Sequence, residues 1–358
     1  MKLHSITIKN FRAIESGAFD FTDNFSKPRT VTLIVGPNGS GKTSVLDAIH
    51  IVVRTLEDPY NPRLREGLEF SAQQIVKGRG NIAEINFSSG IDLKEAEAIN
   101  EVYKALRWNT PFSFKDKTPP LDIPSNIKWQ FPNPNKTYKK PFSAFTSPRN
   151  AAKVIGARGN ARKGVAENFI GKSIFEKIGS VCYLDQRRSF RITKSYSVEK
   201  EELHLPYDDV LSWLNIYRQR NQTWNQEKYG ESYWSRIERL FDKICYPAEL
   251  IGIESGPDID TLIIRKNGVE YDLAQMSSGE HQILRILVGL IAETAENSIV
   301  LIDEIELHLH PAWQRKLIET LRNDSLNNQY VFTTHSQFVK QLFFDDEIID
   351  LGDLDESI

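Results

Sequence analysis

The sequence predicts an α/β fold in which a mixed sheet is flanked by helices. A β-branched run over residues 30–35 ends at a glycine-rich loop, and apolar residues at helical spacing follow it. A second apolar run, over residues 299–303, ends in acids, and a third run covers residues 330–333. Buried strands that alternate with helices are typical of a sheet covered by helices.

The other predicted elements follow the chain. Residues 2–9 alternate apolar and polar, which predicts an edge strand. Residues 261–265 and 269–273 flank Asn267 and Gly268, a pattern that predicts a β-hairpin. The sequence also predicts strands at 83–87 and 179–185, and helices at 43–56, 93–108, much of 208–245, 278–296, 311–322 and 336–343.

The composition excludes several classes of protein. The chain has 358 residues, 26% of them charged and 40% hydrophobic, which is enough for a core and two or three lobes. Two cysteines, Cys182 and Cys245, cannot form a disulfide framework, so a reducing compartment is expected. No apolar run approaches the roughly 20 residues that span a bilayer. The sequence predicts a cytoplasmic protein without a membrane partner.

Residues 104–163 differ from the rest of the chain. They carry 13 Lys and Arg residues against Asp116 and Asp122, and half of the 16 prolines. Because regular patterns fail over residues 109–150, we expect an irregular insertion. Its interleaved aromatic and basic residues suit DNA binding, docking of a protein partner, or a small satellite core with lysines in water. Residues 345–358 carry seven acids and no base, an acidic tail.

The loop after residues 30–35 carries the strongest chemical signal. Small residues let backbone N–H groups close around phosphate oxygens at a helix N-terminus. Lys42 is expected to reach the β- and γ-phosphates, and Thr43 to place its hydroxyl on Mg²⁺. The sequence therefore predicts that ATP and Mg²⁺ bind here. The binding residues are Gly36, Pro37, Asn38, Gly39, Ser40, Gly41, Lys42, Thr43 and Ser44.

Two acids follow the apolar run that begins at Ile299. Asp303 can deliver a carboxylate to Mg²⁺, and Glu304 can polarise an attacking water. A strand that ends in acids is commonplace, so this inference depends on the glycine loop upstream. Together the two motifs predict ATP hydrolysis, with Lys42 and Glu304 as catalytic residues.

The order of the motifs resembles that of ABC-type ATPases. Ser277, Ser278, Gly279 and Glu280 resemble the family's signature, and His335 resembles its switch histidine. Residues 2–14 are similar to the opening of RecF, SMC and OLD-type ATPases. Residues 306–311 resemble the stretch after the acidic pair in OLD-like and related bacterial defence ATPases, and the chain as a whole resembles the PtuA-like ATPases of antiphage defence. The resemblance covers about residues 1–60 and 175–345.

The resemblance implies an ABC-ATPase head with N-terminal antiparallel strands and a helical signature lobe, interrupted by the basic insertion. It implies dimers, or higher oligomers, in which the signature of one subunit faces the ATP on the other, with His335 at the γ-phosphate. Arg12 matches a family position near the nucleotide, although a solvated arginine fits equally well. The predicted divisions are 1–103, 104–163, 164–250, 251–345 and 346–358.

Several residues keep two interpretations. Ser277 or Ser278 capping a helix, with Glu280 in its first turn, explains the signature without ATP. Either Gln74 or Gln186 fits the family's Mg²⁺-sensing glutamine. His308 and His310 suggest a metal pair, but we favour a strained turn. Residues 185–188 form either a solvated basic loop or a contact with nucleotide or the partner head.

The expected function is an ATPase that controls a DNA-directed process, in antiphage defence with a separate nuclease or toxin as effector. One alternative is a RecF/SMC-type repair or recombination ATPase that binds DNA directly. A transporter subunit is less favoured, because Lys42 and Ser277 lie 235 residues apart. Transporter subunits keep these motifs on the order of a hundred residues apart.

Overall fold

The computed structural model describes residues 1–59, 62, 64–65, 67–111, 125–134, 143–146, 151–168, 178–186, 208–256, 260–292, 296–323 and 325–352. It divides into two compact units, each built from separate stretches of chain. The first unit comprises Met1–Asp185, Thr294–Ile305 and Asp324–Ile358, and the second comprises Gln186–Glu293 and Glu306–Asn323.

Strands and helices alternate along much of the chain. The strands are β1 (Lys2–Phe11), β2 (Ile14–Asp20), β3 (Val31–Val35), β4 (Ala83–Gly90), β5 (Ser125–Phe131), β6 (Ala144–Thr146), β7 (Val181–Leu184), β8 (Ala248–Ser255), β9 (Asp260–Lys266), β10 (Val269–Asp272), β11 (Ile299–Ile302), β12 (Gln329–Thr334) and β13 (Ile348–Asp350). The helices are α1 (Lys42–Glu57), α2 (Ala72–Ile75), α3 (Leu93–Ala105), α4 (Ala151–Asn168), α5 (Asp208–Gln222), α6 (Gln226–Tyr229), α7 (Tyr233–Cys245), α8 (Ser278–Ala292), α9 (Pro311–Arg322) and α10 (Gln337–Lys340).

A parallel sheet organises the first unit. Its described strands follow the order β13-β3-β12-β11-β7, and each neighbouring pair is parallel. Every residue of β3, β11 and β12 is buried, as expected where both faces of a sheet are covered. Because the strands are parallel, the residues that follow β3, β11 and β12 emerge at one edge of the sheet.

An antiparallel sheet forms the second layer of the first unit, with the order β2-β1-β4-β5-β6. The expectation of an edge strand at residues 2–9 is wrong, because β1 pairs with both β2 and β4. Alternation of apolar and polar residues reports one covered face, and it does not distinguish central strands from edge strands.

The helix α1 packs against both sheets of the first unit. It contacts β1 and β4 of the antiparallel sheet and β7 and β12 of the parallel sheet. Most of its residues are buried, including the polar Asp47 and His50. The helix that begins at the glycine loop is therefore the centre of this unit's core.

Part of the predicted insertion belongs to this core, which corrects the expectation of an irregular segment. The strand β5 pairs with β4, and its Trp129 is fully buried. The indole of Trp129 donates a hydrogen bond of 3.1 Å to the Thr55 hydroxyl on α1. Flanking prolines obscured the strand pattern in the sequence. Residues 112–124, 135–142 and 147–150 of the insertion lie outside the described residues.

The C-terminal segment also differs from the prediction. Residues 348–350, expected in an acidic tail, form β13 and pair with β3. Asp350 forms an ion pair of 2.9 Å with Lys340. Two isoleucines, Ile348 and Ile349, supply the apolar residues that a strand needs among these acids. Residues 353–358 lie outside the described residues.

The second unit combines helices with a small antiparallel sheet. The helix α7 contacts α5, α8, α9 and β8. The sheet follows the order β10-β9-β8, and the predicted hairpin is confirmed at β9 and β10. Asn267 and Gly268 have φ angles of 53° and 81°, the pair of positive values that a tight hairpin turn requires. Within the described parts of both units, no helix is long and apolar enough to cross a membrane.

Candidate nucleotide-binding site

The glycine loop connects β3 to α1, as the sequence predicts. Gly41 caps α1 with φ at 102°, and a Cβ there would lie 3.0 Å from Cγ1 of Ile14. A Cβ at Gly36 would lie 2.6 Å from the Ser40 hydroxyl. These two close approaches explain why glycine stands at both ends of the loop.

Lys42, the first residue of α1, turns back into the loop. Its ammonium donates hydrogen bonds of 2.7 Å to the Gly36 carbonyl and 2.9 Å to the Pro37 carbonyl. The residue is only 7% exposed. A positive charge is therefore held beside the N-terminus of α1, where backbone N–H groups also favour an anion.

Thr43 and Asp303 meet at the carboxyl edge of the parallel sheet. The Thr43 hydroxyl lies 2.9 Å from Oδ2 and 3.2 Å from Oδ1 of Asp303, although 260 residues separate them in sequence. The strand order β3-β12-β11 brings the two together. A hydroxyl and a carboxylate are hard oxygen donors, the type of ligand that Mg²⁺ prefers, so this pair fits the predicted metal.

Thr333 joins this pair to Glu304. The Thr333 hydroxyl donates a hydrogen bond of 2.6 Å to Oδ1 of Asp303 and accepts one of 2.8 Å from the backbone N–H of Glu304. Asp303 is only 2% exposed, and its N–H donates to the Leu184 carbonyl at the end of β7. Thr333 belongs to no sequence motif, and its place at the end of an apolar strand is the signal that could have identified it.

Glu304 and His335 are brought together beyond the strand ends. Glu304 has φ at 48°, a left-handed conformation that is uncommon for a residue with a side chain. Its Oε1 lies 3.9 Å from Nδ1 of His335, which is too far for a hydrogen bond. Their side chains are 18% and 47% exposed, so both are accessible to water.

Arg12 is partly buried and forms an ion pair with a residue of α1. It lies in the turn between β1 and β2, with φ at 50°, and its Nε is 3.1 Å from Oδ2 of the fully buried Asp47 on α1. Arg65 pairs with the other oxygen of Asp47 at 2.5 Å. The next residue along, Ala13, donates to the Ser44 hydroxyl at 3.4 Å. The turn is therefore fixed to the start of α1.

Two rings, His50 on α1 and Tyr183 on β7, lie close to each other in this unit. Burial, helped by the charges of Arg54 and Arg65, lowers the pKa of His50 well below its usual value. Burial, together with the charges of Asp47 and Asp303, raises the pKa of Tyr183 well above its usual value. The two rings are 5.3 Å apart. Neither group changes charge near neutral pH, so these buried groups add no charge to this side of the site.

The signature residues lie in the second unit, at the start of α8. Ser277 is the N-cap, since its carbonyl accepts a hydrogen bond from His281. Its hydroxyl accepts from the Glu280 N–H at 3.3 Å, and its own N–H donates to Glu280 at 2.8 Å. This reciprocal pair is a capping box, so the helix-cap interpretation of the signature holds. The N-terminal N–H groups of α8 remain suited to an anion.

The remaining predicted residues are placed as follows. Gln74 accepts a hydrogen bond from the Glu69 N–H, whereas Gln186 comes two residues after β7. His308 has φ at 60°, and His310 caps α9 through Nδ1. No cluster of three or more His, Cys, Asp or Glu side chains suited to a metal occurs in the described parts of the chain. Arg187 and Arg188 lie outside the described residues.

This fold and this loop define a P-loop ATPase of the ABC-type head class. The chain belongs to the family described as "AAA domain, putative AbiEii toxin, Type IV TA system", whose model matches residues 31–339.

Individual relatives agree with this family. The "Retron Vc95 probable ATPase" of Vibrio cholerae serotype O1 biovar El Tor is 24% identical over 392 residues, which cover 98% of this chain and 74% of that protein. "Septu protein PtuA" of Bacillus thuringiensis is 34% identical over 111 residues, 27% of this chain and 28% of that protein. The resemblance to PtuA-like ATPases is thereby confirmed.

A solved structure agrees with the fold. An SMC head bound to the C-winged helix domain of ScpA matches with a TM-score of 0.53 at 16% identity, over 97% of this chain and 96% of that chain. The predicted α/β head of the SMC type is confirmed.

Proposed function

We propose that this protein binds and hydrolyses ATP with Mg²⁺, and that it dimerises around the nucleotide. The observation that carries the proposal is the hydrogen-bonded chain from Thr43 through Asp303 and Thr333 to the Glu304 backbone. This chain links the proposed Mg²⁺ ligands Thr43 and Asp303 to the proposed base Glu304, next to the loop that precedes α1. Each of these is a part that phosphoryl transfer to water requires.

The residues of the first unit take separate roles in this reaction. The backbone N–H groups of residues 36–44 and the Lys42 ammonium bind the phosphates. Thr43 and Asp303 hold Mg²⁺, which neutralises phosphate charge when bound. Arg12 keeps the β1–β2 turn against the start of α1, close to the nucleotide.

Glu304 is the general base of the proposed reaction. It accepts a proton from the attacking water, while the Thr333 hydroxyl fixes its backbone N–H. His335, whose Nδ1 lies 3.9 Å from Oε1 of Glu304, donates to the γ-phosphate. A water between these two side chains is positioned by both of them.

Substitution of Glu304 tests the proposal. Glu304→Gln removes the base but keeps the shape, so ATP turnover is expected to fall about a hundredfold or more. ATP binding, followed with a fluorescent analogue, should stay within about threefold because Lys42 and Thr43 remain. Glu319→Gln, an exposed carboxylate on α9, serves as the control. Unchanged turnover in Glu304→Gln would contradict the assignment.

The dimer is the second part of the proposal. Ser277, Ser278, Gly279 and Glu280 of one copy face the ATP on the other copy, so that the N-terminus of α8 meets the γ-phosphate. Its support is chemical, since a hydroxyl and helix N–H groups bind anions well. Particle mass with and without ATP, measured in Glu304→Gln, tests it. A monomer under both conditions would exclude it.

We place this cytoplasmic ATPase in bacterial defence, with a separate nuclease or toxin as effector. The support is the likeness to a retron ATPase over nearly the whole chain and to PtuA over a part of it. Co-purification of the chain with the product of the neighbouring gene tests the effector. If cells keep their resistance to phage after that neighbouring gene is deleted, the proposal of a separate effector is contradicted.

Direct binding of DNA is the narrower alternative. Its support is the charge of residues 104–163, but Lys128 pairs with Glu84, and Arg158 is buried. Lys136, Lys139 and Lys140 are three of the remaining basic residues, and they are the ones proposed to meet phosphates. Reversing their charge should flatten the dependence of DNA affinity on salt. An unchanged salt slope would favour docking of a protein partner.

A further inference from the structure

The Glu280 carboxylate in the second unit is held by four groups. Both the N–H and the hydroxyl of Ser277 reach its Oε2, at 2.8 and 2.9 Å. The Tyr271 hydroxyl lies 2.9 Å from its Oε1, and the Lys266 ammonium lies 3.7 Å from the same oxygen. The Glu280 side chain is only 3% exposed. A buried carboxylate of this kind needs such partners.

The hydrogen bond between Ser277 and Glu280 fixes the direction of the serine proton. A carboxylate only accepts hydrogen bonds, and a serine hydroxyl has a single proton. The Ser277 proton therefore points to Glu280, while one lone pair of its oxygen accepts from the Glu280 N–H at 3.3 Å. In this arrangement the hydroxyl has no proton left for another acceptor.

A γ-phosphate oxygen also only accepts hydrogen bonds. Resting on the proposed dimer, we infer that Glu280 restrains ATP-driven dimerisation by competing with the partner-bound γ-phosphate for the Ser277 proton, and that Tyr271 positions Glu280 for this competition. On dimerisation the Ser277 hydroxyl rotates from Glu280 to the phosphate. No bond other than this hydrogen bond is exchanged.

Tyr271 and Lys266 determine how strongly Glu280 holds the serine. Burial and then the hydrogen bond to Glu280 raise the pKa of Tyr271, so that its hydroxyl stays protonated and donates. When the Ser277 hydroxyl leaves, Tyr271, Lys266 and the Ser277 N–H still compensate the buried charge. These donors make the departure of the serine hydroxyl less costly.

Glu280→Gln separates this competition from helix capping. Glutamine at this position completes a capping box as well as glutamate does, so α8 keeps its N-cap. A neutral amide oxygen is a weaker acceptor than a carboxylate, and it does not repel a triphosphate. We expect the ATP-bound dimer to form roughly fivefold more tightly in Glu280→Gln, measured by analytical ultracentrifugation in the Glu304→Gln background.

Tyr271→Phe should act in the opposite direction. Without the phenol, Glu280 holds the serine hydroxyl more firmly, so the dimer is expected to be weaker by roughly the same factor. In the Glu280→Gln background the effect of Tyr271→Phe should disappear, because the charged acceptor is gone. A packing role for Tyr271 would give equal effects in both backgrounds. Tyr246→Phe, at an exposed tyrosine of the same unit, is the control.

Ser277→Ala distinguishes failure of this inference from failure of the proposed dimer. If the Glu304→Gln protein stays a monomer with ATP, the proposed dimer and this inference both fall, whereas an unchanged dimer affinity in Ser277→Ala overturns the competition alone. If Ser277→Ala weakens the dimer but Glu280→Gln does not tighten it, only the competition is overturned. Weakening by Ser277→Ala and tightening by Glu280→Gln together support the inference.

Discussion

A single threonine connects the two acids of the proposed site. The Thr333 hydroxyl donates its proton to Asp303 and accepts from the Glu304 N–H, so one group orients the proposed metal ligand and the proposed base. Glu304 has a strained φ angle of 48°, and the hydrogen bond to Thr333 helps to hold it there. At the scale of the residue, Thr333 is the positioning group of the site.

Thr333→Val tests this role with little change of shape. Loss of the hydroxyl removes one hydrogen bond from the Asp303 carboxylate and one from the Glu304 backbone, so turnover is expected to fall by about tenfold to a hundredfold. ATP affinity should change less, because the phosphate-binding loop is untouched. Measured kcat and KM separate the two effects.

Thr32→Val is the matched control for Thr333→Val. Thr32 is a fully buried threonine of the same parallel sheet, on β3, and its hydroxyl has no hydrogen-bond partner within the described residues. Its removal should leave turnover unchanged. Equal losses in the two variants would mean that buried threonines matter only for packing.

Among the elements, α4 is held to α1 and α3 by a buried arginine. Arg158 has no exposed side-chain surface, and it pairs with Glu57 at 3.0 Å and with Glu95 at 2.7 Å. Removing one partner of a buried pair is strongly destabilising, because Glu57 and Glu95 would each lose a charged partner in the interior. The helix α4 is thus a structural part of the first unit.

Arg158→Met should lower the free energy of unfolding of the first unit by about 3 kcal/mol. Urea titration followed by tryptophan fluorescence measures the change. Lys163→Met on the same helix removes an exposed ion pair with Asp58, and it should cost less than about 1 kcal/mol. Equal effects of the two substitutions would show that α4 does not depend on its buried charge.

The sequence predicts the elements with strong local patterns. The apolar runs of β3, β11 and β12 and the proline at the start of α9 identify these elements by themselves. The strand β5 was missed because prolines border it and because its pairing with β4 is a long-range contact. The sequence does not reveal the central position of β1 either, because the alternation of apolar and polar residues does not specify which strands lie on each side.

The same limit applies to the candidate site. Gly36, Lys42 and Thr43 belong to one short segment of the chain, so their spacing in the sequence is enough to predict phosphate binding. Thr333 and Asp47 have no motif, and only the fold brings them to Asp303 and Arg12. The hydrogen bond between Tyr271 on β10 and Glu280 on α8 likewise has no sequence motif, because it depends on how the strand and the helix pack.

At the scale of the whole molecule, the residues of the proposed dimer site belong to different units of the chain. Lys42, Asp303 and Glu304 belong to the first, and the signature residues belong to the second. In a symmetric dimer each ATP would take its P-loop from one copy and its signature from the other. Two defective copies with different lesions can then restore one complete site.

Mixing Lys42→Ala with Ser277→Arg tests this central claim most directly. Each variant alone should be inactive in ATP turnover, because every site of its dimer has one lesion. In an equimolar mixture half of the dimers are mixed, and each of these has one intact site, so turnover should recover to about a quarter of the wild-type rate. A mixture that stays inactive, although both proteins are folded and associate, would contradict a site shared between two copies.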